Sequence, residues 1–358
     1  MPVELWMPMG LTRPEDVGRR SREAEADGWD GISVPDTQCL TTDAFVAMTL
    51  AAIETDRLQL SISTTNPATR HPAVAAAAVA SVAAIAGPRV LYGVGRGDSA
   101  LAYVGAAPAS VALFERYVDV VGRYLRGLPV PFEAIAPWRL SADVSTLELG
   151  DAPTESRLTW RGDGDPVVPV HVFATGPRVI AIGARLADRI SLGLGADVPR
   201  VRWAVDLARQ ARAGAGLRPS TLSVGTVVPI GVAEDVAEAR RSVAEIVASA
   251  GRFSVMSGQV VGPTSAEQHR VYEEIAASYD MNHHGGRGRQ VDVLTDEFID
   301  DFAIVGPPAR CIERIIELVE LGLDHVMLAA PRDDLDGRAG YRRVVEDVLP
   351  GVRAALAG

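Results

Sequence analysis

The chain has 358 residues, 47% of them hydrophobic, which is long enough to bury a large core without disulfides or a structural metal. Its net charge of −11 argues against a nucleic-acid partner, because binding to phosphates requires a basic face. All 35 basic residues are arginine, so Schiff-base chemistry, pyridoxal phosphate attachment and a Walker A lysine are excluded.

The other compositional features predict a cytoplasmic protein without a membrane segment. The longest apolar run, 72–87, is interrupted by Ser81 and is shorter than the roughly 20 residues that a membrane span needs. The first residues, MPVELWMP, do not combine the basic and apolar regions of a signal peptide. Cys39 and Cys311 form no CxxC pair, so neither a disulfide framework nor a zinc finger is predicted.

Strand and helix patterns alternate from the N-terminus, which is typical of a parallel sheet covered by helices. The predicted strands are 3–8, 31–35, 58–65, 89–94, 168–173, 189–194, 222–228 and 324–329. The predicted helices are 14–27 (with Thr12 as N-cap), 43–54, 72–86, 108–126, one opening at Gly176 and Pro177, one after each of the sixth and seventh strands, 308–321 and 341–356.

Eight strands, each followed by a helix, predict an α/β protein with a (β/α)₈ TIM barrel. A doubly wound open sheet is the alternative, but it calls for a GxGxxG turn after the first strand, where this chain has MGLTRPED. Irregular insertions fall at about 128–165 and 281–293. Because no change in composition marks a linker, we expect one domain over residues 1–358.

The loops after the strands are the expected site, because a barrel of this kind builds its active site at the carboxyl ends of the strands. The loop after the third strand is the richest in polar groups and can form a cofactor cradle or only a well-bonded turn. The loop after the fourth strand is glycine-rich, so a ligand can approach its backbone closely. The residues concerned are Ser63, Thr64, Thr65 and Asn66 in the first loop, and Gly95, Gly97, Asp98 and Ser99 in the second.

A third candidate is the segment Thr175, Gly176, Pro177 and Arg178 between the fifth strand and its helix. Free N–H groups at a helix N-terminus form an anion site suited to phosphate, and Arg178 can add charge-assisted hydrogen bonds. The same residues are also an ordinary helix start, with Thr175 or Gly176 as the N-cap and Pro177 as the first helical residue.

These segments resemble the luciferase-like flavin-dependent superfamily, through TTNPATRHP after the third strand, GVGRGDSA after the fourth and ATGPR opening a helix. Within it they are most similar to the deazaflavin-dependent branch that contains methylenetetrahydromethanopterin reductase. GWDGISVPD and FAIVGPPARCIERIIELVELGLDHVML are similar to the same branch. The resemblance covers most of the chain outside 128–165, and it implies hydride transfer between coenzyme F420 and a small-molecule substrate.

The resemblance also implies roles for residues. It places the cofactor at the barrel mouth, with a cis peptide at Ser63–Thr64 behind the ring and with Thr65 and Asn66 beside it. Gly176, Pro177 and Arg178 would hold the cofactor phosphate. Some deazaflavin enzymes carry a His after the second strand and a Glu near the fourth. This chain offers Asp36 and Asp98 there, so its proton donor stays open between these two acids.

Other interpretations stay open. An FMN-dependent monooxygenase of the same fold is one alternative, and a barrel that binds a flavin without turnover is another. His283 and His284 lie in a loop where a substrate contact and a solvated surface are equally consistent with the sequence. Since no HxH or HExxH spacing occurs, no metal is predicted. Relatives commonly form dimers, so a homodimer is expected.

Overall fold

The computed structural model describes residues 3–256, 258–331 and 335–357. Eight parallel strands close into a barrel in which each strand pairs with the next and the last pairs with the first, so the predicted (β/α)₈ fold is confirmed. The barrel strands are β1 (Glu4–Pro8), β2 (Gly31–Val34), β3 (Gln59–Ile62), β4 (Val90–Val94), β5 (Val170–Ala174), β6 (Arg189–Leu192), β7 (Ser223–Val232) and β8 (His325–Ala329).

Helices follow the strands and bury their apolar faces on the outside of the barrel. They are α1 (Pro14–Ala26), α2 (Ala44–Glu54), α3 (Pro72–Ala86), α4 (Val111–Leu125), α5 (Pro177–Leu186), α6 (Val198–Gly214), α7 (Val236–Gly251), α8 (Ala266–Ser278), α9 (Asp296–Phe302), α10 (Pro308–Glu320), α11 (Leu335–Arg343) and α12 (Leu349–Ala357). By length and composition the segment Pro72–Arg89 could cross a membrane. However, α3 buries Ala76, Val79 and Ala83 in the hydrophobic core between the helices and the barrel strands.

Three features differ from the sequence prediction. The helices α8 and α9 and a short strand, Ile304–Gly306, lie between β7 and α10, where no elements were predicted after the helix that follows β7. The strand Ile304–Gly306 extends the sheet by pairing with the end of β7. The predicted N-cap Thr12 is wrong, because α1 begins after Arg13 without a side-chain cap and the Thr12 hydroxyl donates to the carbonyl of Gly10.

The two insertions contain only short elements. In 128–165, the strands Val130–Pro131 and Glu155–Ser156 form a small antiparallel pair beside the four-residue helix Phe132–Ile135. The insertion 281–293 consists of two single 3₁₀ turns with loops around them. Neither insertion contributes a strand to the barrel, so the barrel itself is built without them.

Two buried histidines meet inside the barrel near the amino ends of the strands. The Ser191 hydroxyl oxygen lies 2.8 Å from His171 Nε2 and 2.9 Å from His325 Nε2. Burial, and after it the positive charge of Arg189, hold the pKa of each imidazole well below its usual range. Arg189 itself is neutralised by Glu4, whose carboxylate lies 2.6 Å away. Both histidines are therefore neutral in the folded protein.

This pair makes the stability depend on pH. The unfolded chain protonates histidine near pH 6.5, whereas the folded chain does not, so protons favour unfolding below about pH 6.5. We expect the free energy of unfolding to fall as the pH is lowered from 6 to 5, by at most about 3 kcal/mol per pH unit from these two groups. His325→Gln should remove about half of that slope in urea unfolding. A slope unchanged in the variant would contradict neutral burial of His325.

Candidate active site

A cavity of about 370 Å³ opens at the carboxyl ends of the barrel strands. Its lining comes from the loops that the sequence singled out and from the segment after α7. The described lining residues from the predicted loops are Ser63, Thr64, Gly95, Gly97, Asp98, Thr175 and Gly176. Predicted residues that do not line it are Asp36, Thr65, Asn66, Ser99, Pro177, Arg178, His283 and His284.

The segment after β3 forms one side of the cavity. The Ser63–Thr64 peptide bond is cis, as the resemblance implies, and the Ser63 hydroxyl donates to that of Ser33 at 2.9 Å. Asn66 is fully buried behind the lining, where its side-chain oxygen accepts hydrogen bonds from the backbone of Ala68 and Thr69. Its amide nitrogen is buried with no hydrogen-bond partner among the described residues. The part of this loop around Asn66 is therefore a turn stabilised by its own hydrogen bonds, one of the two possibilities that the sequence left open.

The glycines at the end of β4 and in the loop after it are required by close packing against neighbouring residues. A Cβ on Gly93 would lie 1.5 Å from the Ile62 carbonyl oxygen, and one on Gly95 would lie 2.8 Å from the Thr64 hydroxyl oxygen. Gly97 has φ +82°, a conformation that favours glycine, and a Cβ there would crowd Leu101 and Asn66. Close approach of a ligand is thus not needed to explain these residues, although Gly95 and Gly97 both line the cavity.

The N-terminus of α5 points to an anion site. Gly176 is the N-cap and Pro177 the first helical residue, and no side chain caps the helix. A Cβ on Gly176 would meet nothing within 4 Å, so space lies in front of the helix end. Arg96 lines the cavity beside it, and burial, followed by the charge of exposed Arg178, lowers the pKa of Arg96.

Neither of these two arginines forms an ion pair with a carboxylate in the described part of the chain. Two cations close together at an uncapped helix N-terminus leave positive charge uncompensated. An anionic group bound there would accept backbone and guanidinium hydrogen bonds. Arg96 was not among the predicted site residues, although the loop sequence GVGRGD placed it between two residues that were.

The two candidate acids have different environments. Asp98 lines the cavity, is 9% exposed and forms an ion pair with Arg252, while its second oxygen is buried without a partner in the described structure. Asp36 is 3% exposed and accepts from Arg70 at 3.2 Å, and Arg70 also contacts Asp43 at 2.7 Å. Asp36 therefore forms an ion pair with Arg70 and does not line the cavity.

The predicted histidine pair divides between surface and site. His283 is exposed, with Nδ1 2.7 Å from an Asp280 carboxylate oxygen. His284 is half-buried, with Nδ1 2.6 Å from the Tyr279 hydroxyl, and burial lowers its pKa. The Arg252 guanidinium lies over the Tyr279 ring at 4.7 Å, so His284 belongs to the cluster that surrounds Asp98. No group of three or more potential metal ligands occurs within residues 3–256, 258–331 and 335–357.

The rest of the lining was not predicted from the sequence. Much of it comes from β7, β8, the end of α7 and the segment that follows α7, where the large side chains are apolar. These residues include Val227, Ala250, Phe253, Ser254, Met256, Val261, Met327 and Ala329.

Comparison with known proteins places the chain in a family. A model of the family described as luciferase-like monooxygenase matches residues 2–325. The chain is 24% identical to 5,10-methylenetetrahydromethanopterin reductase of Methanolobus tindarius, with 88% of this chain and 90% of that one covered. It is 26% identical to F420-dependent glucose-6-phosphate dehydrogenase of Beutenbergia cavernae, with 95% and 94% covered.

A solved structure shows the same fold. The coenzyme F420-dependent tetrahydromethanopterin reductase from Methanopyrus kandleri superposes with a TM-score of 0.71 at 19% identity, covering 98% of this chain and 99% of that one. At this identity the likeness concerns the arrangement of strands and helices.

The contact between Gly93 and Ile62 can be tested by adding one methyl group. Gly93→Ala should lower the free energy of unfolding by about 3 kcal/mol or more, because the new Cβ meets backbone that cannot move aside. Gly214→Ala, at the end of α6 where a Cβ meets nothing within 4 Å, is the matched control and should change stability by less than about 1 kcal/mol. Urea unfolding and soluble yield measure both. Equal stability of the two variants would contradict the packing explanation.

Proposed function

We propose that this chain, which belongs to the luciferase-like monooxygenase family, is an F420-dependent oxidoreductase that transfers hydride between the deazaflavin and a small organic substrate. The observation that carries the proposal is the cavity at the barrel mouth, which reaches the uncapped N-terminus of α5 beside Arg96, an arginine that forms no ion pair in the described part of the chain. Two relatives are named as F420-dependent enzymes, which favours the deazaflavin over FMN as the cofactor. We favour the reductase direction.

The residues present fit an anionic cofactor. Gly176, Arg178 and Arg96 would hold its phosphate, since these groups offer hydrogen-bond donors and positive charge without a protein counter-ion. Ser63 and Thr64 would support the ring from the side of β3, and the unpartnered amide of Asn66 offers one more donor behind them. When bound, the deazaflavin would supply or accept the hydride at a ring carbon.

We assign the proton transfer to Asp98. It is the one carboxylate among the described lining residues, whereas Asp36 is held by Arg70 outside the lining. The ion pair with Arg252 fixes the position of the Asp98 carboxyl group at the cavity, where it can exchange a proton with a bound substrate. Tyr279 under Arg252, and His284 beside Tyr279, position this ion pair at the cavity mouth.

The chain as a whole would act as a single-domain, cytoplasmic homodimer. The observation that supports a dimer is a set of exposed apolar side chains on the adjacent helices α2 and α3: Val46, Ile53, Val74 and Ile85 are each 49–65% exposed. Exposed apolar patches of this kind commonly mark protein interfaces. Light scattering should give twice the chain mass, and a monomer would remove this part of the proposal.

The activity can be tested with and without oxygen. Under argon, we expect the protein to oxidise reduced F420 when organic carbonyl compounds are added. In air, we expect no substrate-dependent oxygen uptake with reduced FMN. Asp98→Asn should slow this turnover by about 100-fold while F420 affinity changes less than about threefold. Asp119→Asn, on the exposed face of α4, serves as the control and should be fully active.

Other outcomes select the alternatives. Oxygen uptake with FMN and no reaction with F420 would make the protein a monooxygenase, in keeping with its family's description. Tight F420 binding without turnover of any carbonyl compound would favour a barrel that only binds the cofactor. Full activity of Asp98→Asn would remove the assigned proton transfer.

A further inference from the structure

The cavity has two sides of different chemistry. Strand order places β7 and β8 across the barrel from β3 and β4. The polar loops after β3 to β5 form one side, and the other side is formed by the segment after α7 together with the ends of β7 and β8. We call the second side the apolar wall; its members are Val227, Ala250, Phe253, Met256, Val261, Met327 and Ala329.

Among the described lining residues the one cation is Arg96, on the polar side of the cavity, and the apolar wall itself contains none. Arg252 lies within its sequence segment but is paired with Asp98. Arg200 lies behind it, fully buried, with its guanidinium over the Tyr272 ring at 4.9 Å. The unpaired arginines, Arg96 and Arg178, are at the helix end that we assign to the cofactor phosphate. A charged substrate would thus lose its hydration against this wall without gaining a counter-ion.

The wall is held in place from behind. Arg200 donates to the Ser254 hydroxyl at 3.0 Å and to the Val261 carbonyl at 2.8 Å, and it also contacts the Tyr272 hydroxyl. Val261 belongs to the apolar wall and Ser254 lines the cavity between Phe253 and Met256, so one buried side chain fixes two points of this segment. Met256 and Met327 supply flexible apolar surface that adapts to the shape of a ligand.

We infer that the substrate of this site is an uncharged, largely apolar organic molecule, and that Phe253 and Met256 select it. This inference rests on the proposed function and narrows it: sugar phosphates and other anions are excluded as preferred substrates. Phe253 is 37% exposed at the rim of the cavity, where a large aromatic ring is costly to leave in water unless a ligand covers it. The apolar wall comes from residues outside the predicted loops, whereas the counter-ion of Arg252 is Asp98 of the predicted loop after β4.

The test compares an uncharged aromatic ketone with an aromatic carboxylate of similar size and with a sugar phosphate. Binding of acetophenone, benzoate and glucose 6-phosphate is measured by calorimetry, both with saturating F420 and without it. We expect acetophenone to bind at least about tenfold tighter than benzoate in both conditions, because the carboxylate must be desolvated without a partner. Glucose 6-phosphate should not compete with acetophenone.

Three variants locate the selection on the wall. Phe253→Ser should weaken acetophenone binding by about fivefold, as expected for lost apolar contact, and leave benzoate unchanged. Met256→Arg should shift the ratio of the two affinities by at least about tenfold towards benzoate. Leu217→Ser, at a surface leucine 40% exposed outside the lining, is the control and should change nothing.

The outcomes separate this inference from the proposed function. Tighter binding of benzoate or glucose 6-phosphate, in a protein that binds F420, would overturn the substrate class and leave the proposed function standing. Acetophenone binding that is lost when F420 is added would assign the apolar wall to the cofactor and also overturn the inference. Failure to bind F420, with the charge preference intact, would refute the proposed function alone.

Discussion

The close approach of β3 to β4 at their carboxyl ends determines the geometry of the site. Gly93 leaves room for the Ile62 carbonyl, and beyond it the Thr65 amide donates to the Gly93 carbonyl at 3.1 Å. The Gly95 amide then donates to the Thr65 carbonyl at 2.9 Å. These contacts bring the polar segment after β3 against the glycine loop after β4, and together the two segments form one side of the cavity. A side chain at Gly93 would separate them.

The distribution of charge over this frame determines what the cavity can bind. Positive charge is uncompensated at the start of α5, where Arg96 and Arg178 lie together. It is compensated on the Asp98 side, where Arg252 provides the counter-ion. Across the barrel the lining is apolar. Under the proposed function, the first region would hold the cofactor phosphate, Asp98 would transfer the proton, and the apolar lining would contact an uncharged substrate.

Local sequence patterns predicted the structural features that depend on residues close together in the chain. The eight strands, the glycine loop after β4 and the helix start at Gly176 are short-range features, since alternation, glycine and proline act over a few residues. The pairing of Asp98 with Arg252 joins residues 154 positions apart, and no local pattern contains it. For the same reason, the sequence did not predict the ion pair between Asp36 and Arg70. It also did not predict that Phe253 and the residues after it line the cavity. The helices α8 and α9 fell in a region where the strand–helix alternation is interrupted.

Whether the cavity binds a deazaflavin is decided by titrating the purified protein with F420 and with FMN and following fluorescence quenching. We expect micromolar or tighter binding of F420, with FMN binding at least about tenfold more weakly. The reverse preference would contradict this expectation and indicate a flavin-dependent monooxygenase. Binding of neither cofactor would leave the barrel fold and the family as the part of the account that stands.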